Sequence, residues 1–114
     1  MDIKEFQDIV IKFRDARSWK QFHNPKDTSL SLVLEATEVM EHFQWKNEEE
    51  IKDYVKSNRN NIGKELADVF YWILLIAHDL NIDLAEVFKR KMTENNTKYP
   101  IKKSKSKHLK YTKL

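Results

Sequence analysis

Apolar residues recur at three-and-four spacing almost from the start of the chain. Ile3, Phe6, Ile9, Val10, Phe13 and Ala16 form one stripe, which predicts an amphipathic helix capped by Asp2 and ending near Arg17. The period is lost from Ser18 to Lys26, and Asn24-Pro25 sits inside that stretch, so it reads as a loop. It is an aromatic loop, through Trp19 and Phe22. A second helix should follow, capped by Asp27 or Thr28 and ending near Phe43-Gln44-Trp45. Its apolar residues lie almost all round, which predicts a central place in a bundle. Asn47 and the glutamates after it open a short polar helix with Ile51, Tyr54 and Val55 on its buried side. The polar run Asn58-Arg59-Asn60-Asn61 predicts a break before a third main helix that continues to about Leu80. Asp83 then caps a last helix through Leu84, Val87, Phe88 and Met92, stopping near Tyr99-Pro100. No strand alternation interrupts this series. The expected fold is all-α, a bundle of four main helices plus a short one.

Composition agrees with that reading. Glycine occurs once and proline twice, leaving little material for tight turns. At 114 residues the chain holds one domain, with a core small enough to favour oligomerisation. The absence of cysteine excludes a disulfide framework and a thiolate metal site, and fits a cytoplasmic setting. No signal-peptide pattern opens the chain, and the apolar run Val69–Ala77 is too short to span a bilayer, so a soluble protein is expected. Charge divides the chain. Residues 102–114 hold six lysines and no acid, while residues 1–101 hold 15 basic against 18 acidic residues. We therefore expect a domain over 1–101 and a basic C-terminal tail over 102–114. Such a tail also fits a different class of protein, a helical nucleic-acid-binding or regulatory module without catalysis. Against that class, the lysines lie outside the helical body and no expected helix has a basic face.

The chemistry is concentrated in two acidic pairs, Glu35 with Glu38 and Glu65 with Asp68. A spacing of three puts both carboxylates of a pair on one helix face. An isolated pair of this kind is usually a solvated face. Here both pairs lie inside the most apolar runs of the chain, where carboxylates are costly unless a cation or a donor meets them. Two antiparallel helices can bring all four together, and a hard divalent cation with oxygen ligands, Mg²⁺ or Mn²⁺, resolves their repulsion. Glu41 extends the first acidic row and is placed outside the four. His23, His42, His78 and His108 share no helical spacing and read as surface or packing residues rather than zinc ligands.

The order Glu35-x-x-Glu38, 26 residues, Glu65-x-x-Asp68 resembles the all-α NTP pyrophosphohydrolases of the MazG-like superfamily. Arg17–Pro25, Phe43-Gln44-Trp45, Lys91–Asn95, Lys98-Tyr99-Pro100 and the ending Lys110–Leu114 are similar to its dCTP pyrophosphatase branch. The resemblance covers nearly the whole chain. It implies hydrolysis of a nucleoside triphosphate, dCTP or a modified dCTP first, to a monophosphate and pyrophosphate for nucleotide-pool cleansing. It implies Glu35, Glu38, Glu65 and Asp68 as metal ligands, with Glu38 also orienting and deprotonating water. It places the nucleoside among Trp19, His23, Trp45 and Trp72, and the triphosphate on Lys91 and Asn95. A homotetramer is implied in preference to a dimer. Trp72 stands where that branch has Tyr, and Val10 where mammalian-type relatives have His; both bear on base preference and neither on the metal chemistry.

Overall fold

The computed structural model describes residues 1–113, with the backbone alone at Tyr111, so Leu114 of the C-terminal stretch lies outside the described residues. Every regular element among them is helical. The chain forms two compact units, Met1–Asn81 and Ile82–Leu114.

In the first unit, α1 spans Ile3–Asp15. Asp2 caps it in a reciprocal box: its side chain accepts from the Glu5 backbone N–H at 2.8 Å, and its own N–H donates to the Glu5 side chain. The helix closes two residues earlier than expected, and Ser18 turns the chain with a left-handed φ of 55° into a short 3₁₀ turn, Trp19–Phe22. What reads in sequence as loop is therefore partly ordered.

Helix α2 spans Pro25–Glu41. Its cap is Asn24, not Asp27 or Thr28: the Asn24 side chain accepts from the Asp27 N–H at 3.0 Å, and Pro25 fills the first helical position, where no N–H is needed. Thr28 is instead buried, its hydroxyl donating to the Asn24 carbonyl at 3.0 Å.

Helix α3 spans Glu48–Asp79 and joins two segments that the sequence separates. The expected break is only a kink at Asn58 (φ −121°, ψ 15°), whose side-chain amide donates to the Tyr54 carbonyl at 3.0 Å. That bond satisfies a carbonyl facing the kink, so the helix bends and continues.

The core belongs to the C-terminal half of α3, where Leu74, Leu75 and Ala77 are buried, together with Val10 of α1. Gln7 donates to the Leu74 carbonyl at 3.1 Å, and Phe6 meets Phe70 edge-to-face. The expectation of a central α2 is corrected. Leu30, Val33, Leu34 and Met40 are all more than half exposed, because the main packing of α2 among the described residues is against α3.

The second unit holds α4 (Leu84–Lys98), a single turn α5 (Ile101–Ser104) and a 3₁₀ turn at Tyr111–Lys113. Asp83 caps α4 as expected, accepting from the Glu86 N–H at 3.1 Å. The tail lysines Lys102, Lys103, Lys105, Lys107, Lys110 and Lys113 are exposed.

Candidate metal centre

The antiparallel packing of α2 on the C-terminal half of α3 sets the two acidic pairs against each other. One carboxylate oxygen from each of Glu35, Glu38, Glu65 and Asp68 lies within 4.8 Å of the others. Glu35 and Glu65 are half-buried, Glu38 and Asp68 exposed. Glu41, one turn further along α2, is exposed and outside this group.

The electrostatics of the cluster are unfavourable for carboxylates alone. Burial holds the Glu35 carboxyl above its usual range, with further contributions from a hydrogen bond to Glu38 and the charges of Glu38, Asp68 and Glu65. Glu65 is raised chiefly by its hydrogen bond to Glu38, then by burial and the charges of Glu38 and Asp68, and the nearby His42 opposes this. Oε2 of Glu35 and Oε2 of Glu65 are buried with no hydrogen-bond partner among the described residues. Buried carboxylate oxygens without donors, converging with two more carboxylates, fit a hard divalent cation. The donor set is all oxygen, as Mg²⁺ or Mn²⁺ prefers.

An aromatic cluster lies beside this centre, reached from Asp68 by one turn of α3 at Trp72. His23 meets Trp72 edge-to-face at 5.5 Å, Trp72 meets Tyr71 at 5.1 Å, and Phe13 links Tyr71 to Trp19 at 6.2 and 5.6 Å. His23 and Trp72 are thus brought into contact, and Trp19 joins the same row of rings through Phe13 and Tyr71. Nδ1 of His23 is buried and unpartnered among the described residues, and burial followed by the Arg14 charge keeps its pKa low, with Asp79 partly opposing. A cavity of about 430 Å³ opens next to it, between the start of α2 and the end of α3. Trp45 is not part of this cluster. It sits on the turn after α2 with φ 69° and 91% of its surface exposed.

Lys91 and Asn95 belong to α4 in the second unit and lie one turn apart. The Lys91 ammonium is 3.7 Å from Glu94, which also pairs with Lys98 at 2.9 Å, and the Asn95 amide approaches the Met92 sulfur at 3.9 Å.

Sequence reasoning missed two residues. Arg14 is buried and chelates both Asp79 oxygens, at 3.0 and 2.7 Å, locking α1 to the end of α3. The signal was its place four residues after Val10, inside the apolar stripe. His42 follows Glu38 by four residues, and its Nδ1 is hydrogen-bonded to the Tyr54 hydroxyl at 2.5 Å.

A MazG-like family model matches residues 30–114. The chain is 32% identical to dCTP pyrophosphatase 1 of Bos taurus over 98% of its own length and 68% of that protein's. The human dCTP pyrophosphatase 1 gives the same identity, with 67% of its length covered. The crystal structure of a pyrophosphatase from Archaeoglobus fulgidus superimposes with a TM-score of 0.80 at 35% identity, covering 85% of this chain and 91% of that one. With family, relatives and fold in agreement, this chain belongs to the MazG-like family.

Proposed function

We propose that this chain, a nucleoside triphosphate pyrophosphohydrolase of the MazG-like family, converts dCTP or a 5-modified dCTP to the monophosphate and pyrophosphate, cleansing the nucleotide pool. The observation that carries the reading is the convergence of four carboxylates within 4.8 Å, two of them with buried, unpartnered oxygens. Glu35, Glu38, Glu65 and Asp68 would hold Mg²⁺, which when bound neutralises triphosphate charge and favours attack at phosphorus. Glu38, exposed and in contact with both Glu35 and Glu65, takes the proton from the attacking water. The water oxygen bonds to the α-phosphorus, the bond to the α–β bridging oxygen breaks, and pyrophosphate leaves with that electron pair.

Trp19, His23 and Trp72 supply the aromatic side of the nucleoside site, since ring faces hold a flat base with little sequence demand. Trp45, so exposed in one protomer, takes its place at a neighbouring copy's site in a homotetramer. Lys91 and Asn95 provide a cation and an amide for phosphate oxygens. A panel of canonical and 5-modified triphosphates with Mg²⁺, products separated by chromatography, tests the reading. We expect dCTP or a 5-modified dCTP to be turned over fastest, giving monophosphate and pyrophosphate. Diphosphate with orthophosphate would refute the reaction, and a purine or dUTP preference would refute the pocket assignment alone.

A further inference from the structure

The seam between α2 and α3 has two ends, and they differ in chemistry. At 100° per residue, Glu35, Glu38 and His42 fall on one stripe of α2, and Asn61, Glu65, Asp68 and Trp72 fall on one stripe of α3. His42 still has helical backbone angles, so the stripe reaches it unbroken. In the antiparallel register that brings Glu38 to Glu65, Trp72 lies about 6 Å beyond Asp68 at one end of the acidic centre and His42 about 6 Å beyond Glu38 at the other. The Trp72 end is aromatic and includes His23. The opposite end carries His42 and Asn61, with the Phe43 and Tyr54 rings packed beside His42.

His42 is held there. It is half-buried, Tyr54 of the first segment of α3 is hydrogen-bonded to its Nδ1, and the Lys46 ammonium stands 4.3 Å from the centre of that same Tyr54 ring. The kink at Asn58 bends α3 between Tyr54, His42's partner, and Asn61, the seam residue at His42's level. With the Tyr54 hydroxyl donating to Nδ1, the ring's N–H sits on Nε2, the nitrogen that Tyr54 does not engage.

Resting on the proposed reaction, we infer that His42 contacts the substrate, donating from Nε2 to the β-phosphate end that departs as pyrophosphate. A nucleoside stacked at the Trp72 end, with its α-phosphate at the four carboxylates, directs the β- and γ-phosphates along the seam toward His42. Negative charge builds on the leaving pyrophosphate as the bond to the α-phosphorus breaks, and a fixed donor at that point stabilises the transition state more than the ground state. Tyr54 is then a positioning residue: it touches no substrate and fixes the ring's tautomer and direction.

The test measures binding and turnover separately on the full chain. Magnesium pyrophosphate and, independently, dCMP are titrated calorimetrically onto the wild type, His42→Leu, His42→Gln and Tyr54→Phe, and kcat and KM are measured for each. We expect His42→Leu to weaken pyrophosphate binding and to lower kcat by roughly tenfold or more, the usual scale for a lost hydrogen bond to a charged group, with dCMP binding unchanged. His42→Gln, which keeps a donor, should recover part of both losses, and Tyr54→Phe should show a smaller loss in the same direction. Should the leucine variant fail to fold, the glutamine and Tyr54 variants carry the same comparison. Pyrophosphate binding and kcat within about twofold of wild type in the folded variants would overturn the inference. So would weakened dCMP binding with pyrophosphate unaffected, which would place the nucleoside at this end. A wild type that binds pyrophosphate through His42 and hydrolyses no triphosphate would sink the proposed function and leave this contact standing.

Discussion

At the scale of single residues, the acidic four define the account. Glu35→Gln, Glu65→Gln and Asp68→Asn each remove a ligand, and turnover at saturating Mg²⁺ should fall by about two orders of magnitude or more, with helical circular dichroism retained. Near-normal turnover in any one of them would remove that residue from the metal set. The same substitutions relieve repulsion, so the metal-free variants should melt at or above the wild-type temperature. The pH dependence has a definite sign. Glu35 and Glu65 have raised pKa values in the folded, metal-free chain, so it binds more protons than the unfolded chain. That contribution is complete below the ordinary value of 4.5 and is lost as pH rises through the raised folded values. Thermal melts in EDTA should therefore show a smaller pH-dependent loss above pH 4.5 in Glu35→Gln than in wild type. An equal loss would place the excess protons elsewhere. The four acids were legible because carboxylates break an apolar run at a fixed period. Arg14 and His42 were less so: each lies on a stripe whose importance depends on the residue facing it, Asp79 or Tyr54, and such partners are remote in sequence.

At the scale of elements, sequence pattern placed every main helix and failed at two joints. Asn24 takes the α2 cap because Pro25 suits the first helical position, a pairing that outweighs the acid two residues later. The asparagine-rich run after Ser57 reads as a break because asparagine competes with the backbone, yet Asn58 spends that capacity on the Tyr54 carbonyl and the helix survives. Gly63 lies in α3 with helical neighbours, and a Cβ built on it meets no atom within 4 Å. Gly63→Ala should therefore stabilise the chain by about 0.5–1 kcal/mol in urea unfolding, from helix propensity alone. A loss of stability instead would mean that another copy packs closely on this face of α3.

At the scale of the whole molecule, the exposed apolar surface of α2 and the basic tail are the features that a single protomer leaves unexplained. The division into units at Asn81 and Ile82 falls in the turn before the Asp83 cap, which the sequence marks as a joint between helices but not as a boundary between units. Among the described residues no helix is long and apolar enough to cross a membrane. Deleting residues 102–114 should raise KM for the triphosphate, most at low ionic strength, because attraction between lysines and phosphates is screened by salt. An unchanged KM in dilute buffer would separate the tail from substrate binding.

The central claim, hydrolysis at the α-phosphorus by a centre built on four carboxylates, is tested most directly by turning over dCTP in ¹⁸O-labelled water with Mg²⁺. The account expects the label in dCMP, none in pyrophosphate, and no turnover once EDTA is added or Glu38 is replaced by Gln. Label in pyrophosphate, release of orthophosphate with a diphosphate, or turnover that survives metal removal would contradict it.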